Sequence, residues 1–412
     1  MPLRHAPAPF WDPARQADPY PFYAALRRDQ PVLRATVPGR GAVWVVSRYA
    51  DVAALLKDPR FSNDRRGAGL RSPFFGGLPM PRALTTLSLT MVGADDPRHA
   101  RLRGLVGRAF TPRRIADLEG RVVAIAADLA DRAAARGGMD LIADFALPLP
   151  FTVIAELLGV PVDLRGEFRR RVAGLLSPPR SVALRLAVWM PRLLGLVGFF
   201  ERLVDRRRRE PDDGLISALV AAEDGGERLS AQELTAMVFL LFFAGHETTV
   251  NLIGNGMLAL FDHPGELARL GAEPALMPAA VEELLRFTNP VEAVAMRYTT
   301  EPVRLAGVDL PARATVMGLI SSANRDPEAF AEPDRLDLSR RDNRHLALGA
   351  GAHYCLGASL ARLEARVGFA TLLERFPGLA LAAPRDAVSW RPPGALRGLK
   401  RLQVRWDRRP GA

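Results

Sequence analysis

Cys355 is the single cysteine of the 412-residue chain, and it lies in the run Leu348-Gly-Ala-Gly-Ala-His-Tyr-Cys355-Leu-Gly357. One thiol forms no internal disulfide and builds no multi-cysteine zinc or iron–sulfur site. It is either an inert buried residue or a single strong ligand or nucleophile. The glycine-rich run before it and the helix-like run after it favour a ligand. As an axial ligand to iron it must be a thiolate, and a free cysteine, with a pKa of about 8.5, is mostly thiol at neutral pH. A helix starting near Leu356 would aim its positive end at the sulfur. Backbone N–H groups of the Gly357 turn could donate to it, and the metal itself holds the deprotonated form. Gly349 and Gly351 let the loop fold tightly beneath a flat macrocycle.

A second constellation is Ala244-Gly-His-Glu247-Thr248-Thr249. It follows a long apolar run, Met237–Ala244, within one helix that reads as buried on every side there. Glycine there costs about 1 kcal/mol, and each unpaired buried polar group costs about 1–3 kcal/mol. A satisfied hydrogen-bond cluster at a kink would account for such residues. So would a helix opened, or bulged, beside a reaction centre.

Together these residues carry a family resemblance. Residues 348–357 resemble the heme-binding loop of the cytochrome P450 family, Phe-Gly-x-Gly-x-His-x-Cys-x-Gly, with Leu348 in place of the usual Phe. The resemblance extends over the whole chain and implies a heme b cofactor ligated by Cys355, with Leu348, Gly349, Gly357 and Ala244 lying against it. Glu283-Leu-Leu-Arg286 resembles the family's Glu-x-x-Arg. Residues i and i+3 share a helix face, and Arg335 is the expected third member of a structural triad. Asp96-Pro-Arg-His99-Ala-Arg-Leu-Arg103 resembles the propionate-binding helix. His99, Arg103, Arg297 and His353 are therefore the expected propionate partners, with His345 a weaker candidate.

By the same resemblance Glu247 and Thr248 are the acid–alcohol pair that delivers protons during oxygen activation. That pair fits an oxygen- and electron-dependent monooxygenase. The expected reaction inserts one oxygen atom from O2 into a hydrophobic small molecule, of polyketide, macrolide, terpenoid or steroid-like type. Electrons would come from a ferredoxin and its reductase. Alternatives are a substrate bound to a carrier protein, a peroxide-driven heme enzyme, or a non-catalytic heme protein. The expected pocket wall draws on the 74–92 loop with Met91 and Val92, on Phe243, on Val291 and Val294, and on Leu396. The expected lid spans about 172–200, with breaks at Ser177-Pro-Pro179 and Trp189-Met-Pro191. The cations expected to meet the ferredoxin are Arg101, Arg108, Arg113, Arg114, Arg362 and Arg366.

These residues need elements to position them. The pattern predicts helices over 100–110, 115–135, 150–158, 164–176, 182–209, 213–223, 231–261, 278–287 and 357–375. Strand signals occur at 41–46, 303–310 and 315–320. The expected fold is mainly α with small antiparallel sheets, a cytochrome P450 fold with its long central helix over the heme, in one domain over 1–412. Ser230-Ala-Gln-Glu233 is a capping box that marks the long helix's start, and His263-Pro264 marks its stop. At 1.5 Å per residue it spans roughly 46 Å.

Composition sets the outer bounds. The formal net charge is 56 − 45 = +11, and all but two of the 56 basic residues are Arg, the exceptions being Lys57 and Lys400. The arginines are interleaved with acids, not gathered into a basic stripe with aromatics, so nucleic acid is not the expected partner. A docking face for an acidic protein fits better. Residues 1–23 lack an apolar leader core. The most hydrophobic stretch, 182–200, is interrupted by Arg185, Pro191 and Arg192, so no stable membrane insertion is expected. A cytoplasmic, reducing location is the matching expectation.

Overall fold

The computed structural model describes residues 12, 15–37, 41–70, 82–173, 185–224 and 226–407. The fold is mainly helical with small sheets. Two compact units emerge: one from Met1–Pro73, Asp117–Pro150 and His246–Ala412, the other from Phe74–Ala116 and Phe151–Gly245.

In the first unit a five-stranded sheet has the order Val32–Val37, Gly41–Val46, Thr315–Gly318, Arg297–Thr299 and Phe61–Ser62. Its pairings are antiparallel except one: Thr315–Gly318 runs parallel to Gly41–Val46, with Val316 opposite Trp44. The strand signal at 315–320 ends early, because Ile320–Ala323 turns into a short helix. The signal at 303–310 resolves into a hairpin, Val303–Leu305 with Val308–Leu310. One core cluster joins Val46, Val52, Leu55, Val316 and Ile320. Their alternating or 3.6-period apolar positions meet there and leave water together.

The second unit is organised by rings. Phe168 stacks on Phe199 at 5.4 Å and meets Phe242 edge-on at 4.6 Å. Such pairs add about 0.5–1.5 kcal/mol beyond the area they bury. They clamp the helices Val162–Ala173, Met190–Arg209 and Ala231–Asp262.

The long helix covers Ala231–Asp262. Its capping box forms as the sequence predicts: the Glu233 N–H donates to Ser230 Oγ at 3.2 Å, and the Ser230 N–H donates to Glu233 Oε2 at 3.0 Å. The helix is α-helical throughout, so the bulge expected at Gly245 does not form. A Cβ at Gly245 would stand 3.5 Å from Ile154 Cδ1, an ordinary contact. Of the described helices only this one is long and apolar enough to cross a membrane, and 61% of its most apolar window is buried within the protein.

Candidate active site

The cysteine loop is built from its own backbone. The Cys355 N–H donates to Leu348 O at 2.8 Å, Tyr354 N–H to Gly351 O at 3.1 Å, and Gly349 N–H to Leu346 O at 2.8 Å. Gly349 and Gly351 sit at φ +74° and +70°, a region that disfavours side chains. A Cβ on Gly351 would also lie 3.0 Å from the Leu56 carbonyl oxygen, so only glycine lets the loop pass the helix Tyr49–Lys57. Gly357 caps the helix Ala358–Arg375, which places Cys355 just ahead of that helix's positive end. Cys355 and Leu348 are partly exposed. The thiol is therefore presented, not sealed in the core.

The helix Met277–Thr288 sets the position of this loop through two adjacent acids. Glu282 takes Arg362 Nε at 2.6 Å and Nη2 at 2.9 Å, and lies 3.2 Å from His345 Nε2. Burial pushes the Glu282 carboxyl up, but the hydrogen bonds from Arg362 and His345 outweigh it and hold the group at about 2. Glu283 is fully buried and takes Arg286 in a bidentate pair at 2.8 Å and 2.8 Å. Its remaining acceptor sites are filled by Arg340 Nε at 3.1 Å, the Asp337 N–H at 3.0 Å and Asn343 Nδ2 at 3.1 Å.

This corrects the triad. Arg335 is exposed and pairs with Glu332 at 3.1 Å, offering the cluster only its carbonyl oxygen, which accepts from Arg286 at 3.2 Å. Arg340 is the third side chain. The reason is direction: the chain turns after Leu336, which is buried, and brings position 340 back over Glu283.

On the long helix, Glu247 Oε1 accepts from Arg391 Nη1 at 2.8 Å. Burial raises the Glu247 pKa, and Arg391 offsets part of that rise. Thr248 is partly buried beside it, while His246 and Thr249 are buried. Thr249 is hydrogen-bonded to Glu364, which desolvation pushes up to about 8. No sequence signal marks Arg391, Arg340 or Glu364.

Residues 195–386 match the family described as Cytochrome P450. Cytochrome P450 monooxygenase PikC of Streptomyces venezuelae is 44% identical over 395 residues, 95% of this chain and 92% of that protein. Vitamin D(3) 25-hydroxylase of Pseudonocardia autotrophica is 43% identical over 396 residues, 96% of this chain and 94% of its own length. The solved structure of the bacillaene polyketide synthase cytochrome P450 PksS of Bacillus subtilis 168 superposes with a TM-score of 0.89 at 37% identity, covering 97% of this chain and 99% of that one. The chain belongs to the cytochrome P450 family. It is a heme-dependent oxidoreductase of the monooxygenase class.

The donor set of this P450 fits heme. Among the described residues no group of three or more His, Cys, Asp or Glu could hold a metal ion. Such a site suits a metal carried by a cofactor, and the partly exposed thiol of Cys355 is the donor that would hold its iron. Arg297 is buried at the start of its strand. In the same sheet, Ser62 pairs with Tyr298, so the next residue, Asn63, continues towards Arg297. Asn63 Nδ2 lies 2.9 Å from His353 Nε2. Asn63 thus ties His353 to the end of the edge strand Phe61–Ser62, which pairs with the strand that carries Arg297.

In the other unit, His99 is buried with Nδ1 3.3 Å from Asp96 Oδ1, and Arg103, one turn on, is partly exposed. Ala244 is exposed on the long helix, and Phe243 stacks on Phe239 at 4.9 Å. Met91 is buried in a short turn over Met91–Gly93, and Val92 is exposed.

Val291 bridges to Leu396, both partly buried. Val294 is packed in the sheet core, and its N–H donates to Gly318 O at 2.9 Å. Val291 packs against the same core from a partly buried position. The expected breaks at Ser177-Pro-Pro179, and residues 74–81 of the expected loop, lie outside the described residues.

Proposed function

We propose that this P450 inserts one oxygen atom of O2 into a hydrophobic polyketide-, macrolide-, terpenoid- or steroid-like small molecule, using electrons from a ferredoxin and its reductase. The observation that carries the reading is the pair on the long helix: a partly buried acid held by a single arginine, directly followed by an alcohol. The names of the relatives, a polyketide-synthase P450 and a vitamin D(3) hydroxylase, support the substrate class.

Bound heme supplies the binding and reductive activation of O2. Cys355 would hold its iron, with Gly349, Leu348 and Gly357 shaping the bed. Arg297, His353, His99 and Arg103 would hold the propionates. Thr248 would orient oxygen through its hydroxyl, and Glu247 would pass protons inward from solvent. Ala244, Phe243, Met91, Val92, Val291 and Leu396 would face substrate.

Docking of an acidic ferredoxin would exchange existing ion pairs, since Arg101 pairs with Glu233, Arg362 with Glu282, and Arg366 with Glu119 at 2.9 Å. Such exchange gives docking a weaker salt dependence than bare cations would.

The test is reconstitution with a bacterial ferredoxin, its reductase, NAD(P)H and 18O2 over a lipophilic compound panel chosen by spin-state shift. One labelled oxygen in the product supports the reading. Turnover with peroxide alone, or only with carrier-bound substrates, refutes it.

A further inference from the structure

Glu247, Asn251 and Asn255 stand at i, i+4 and i+8 on the long helix, one polar stripe along a single face. A hairpin near the C-terminus lies along that stripe. Trp390 bridges to Leu399, Arg391 N–H donates to Gly398 O at 2.9 Å, and Lys400 N–H donates to Ser389 O at 2.9 Å. Each stripe residue meets it. Arg391 takes Glu247 at 2.8 Å, Gly398 approaches Asn251 so closely that a Cβ there would sit 1.9 Å from Oδ1, and Asn255 Nδ2 donates to Arg397 O at 2.9 Å. The hairpin is also pinned at its far side: Arg397 N–H donates to Pro290 O at 2.9 Å, Glu292 N–H donates to Ala395 O at 2.8 Å, and Leu396 bridges to Val291. Arg391 is thus a counter-charge mounted on a strut fixed at several points.

We propose that Arg391 is a positioning residue for the reaction: the hairpin holds its guanidinium against the Glu247 carboxylate and so fixes where, and in what charge state, that acid stands. This rests on the reading of Glu247 as the proton-handling group.

The other nearby charged and titratable groups are engaged elsewhere. Arg397 reaches the carbonyls of Gln16 and Ala17 and lies 3.8 Å over the Trp390 ring, and its charge acts on Glu292. Glu364 reaches Thr249. On the helix itself His246 is buried next to Glu247. Among the described residues Arg391 is the charged neighbour that counters burial at Glu247. Without it, a partly buried carboxylate loses its compensation and takes up a proton more readily.

The experiment follows the infrared carboxyl band of Glu247 in the heme-loaded protein, assigned by its loss in Glu247→Gln, and titrates it with pH. Arg391→Gln is expected to raise the midpoint by about 1–3 units, the effect of removing an opposite charge at this range. Arg391→Lys, which keeps the charge, is expected to restore most of that displacement, and the pH profile of product coupling is expected to move with the midpoint. A midpoint in Arg391→Gln equal to wild type overturns the proposal, provided the carbon monoxide spectrum shows the variant folded. Full coupling in Glu247→Gln would instead remove the proton-handling role of Glu247. The two failures are therefore read from different variants.

Discussion

Glu364 is a carboxyl group 1% exposed on the helix that follows Cys355, bonded to Thr249 through one oxygen and with no partner at the other. Burial moves it from 4.5 to about 8. At about 1.36 kcal/mol per unit, a shift of about 3.5 units is worth roughly 5 kcal/mol between its charged and neutral forms. The native state keeps a proton that the unfolded chain releases above pH 4.5. The group's contribution is therefore fully present below that pH and is lost progressively as pH rises to about 8. Gln has no proton to release. Glu364→Gln can cost a constant amount, about 1–3 kcal/mol, because its amide lacks an acceptor at the second position. That constant cancels in a double difference. Urea unfolding of wild type and Glu364→Gln at pH 6 and pH 8 is expected to give a wild-type stability that falls more steeply, by roughly 2–3 kcal/mol over the interval. Parallel curves would refute the reasoning and place the carboxyl in a wetter or differently paired site.

Four further outcomes are expected. Thr248→Ala lowers the yield of product per NAD(P)H at least severalfold and raises hydrogen peroxide, measured by coupled oxygen and peroxide assays. Arg340→Ala destabilises by about 2–4 kcal/mol because Glu283 is buried with it, whereas Arg335→Ala stays within about 0.5 kcal/mol, as exposed pairs do; urea midpoints compare them. Arg362→Glu sets a second carboxylate against Glu282, so it slows ferredoxin reduction and also loosens the cysteine loop, seen as a lower melting temperature. Because the Glu282 carboxyl sits at about 2, its contribution is present above pH 4.5 and fades as pH falls towards 2. Wild type should therefore lose more stability than Glu282→Gln across that acid window.

What the sequence disclosed was local. The cysteine loop, the capping box and Glu283–Arg286 lie within ten residues or fewer, where helix period and glycine conformations fix geometry. What it hid depends on distant segments returning. Arg391 reaches Glu247 across 144 positions, and Arg340 reaches Glu283 across 57. Arg335 was the nearer candidate by motif, yet turn direction sent it to solvent. The long helix stays α-helical because the polar run finds partners by side chain, as Glu247 does with Arg391, without opening the backbone.

Whether Cys355 holds heme iron as a thiolate is read from the ferrous–carbon monoxide difference spectrum. Wild type is expected to give the red-shifted band of thiolate-ligated heme, and Cys355→Ala to lose it. A retained red-shifted band in Cys355→Ala would contradict the assignment.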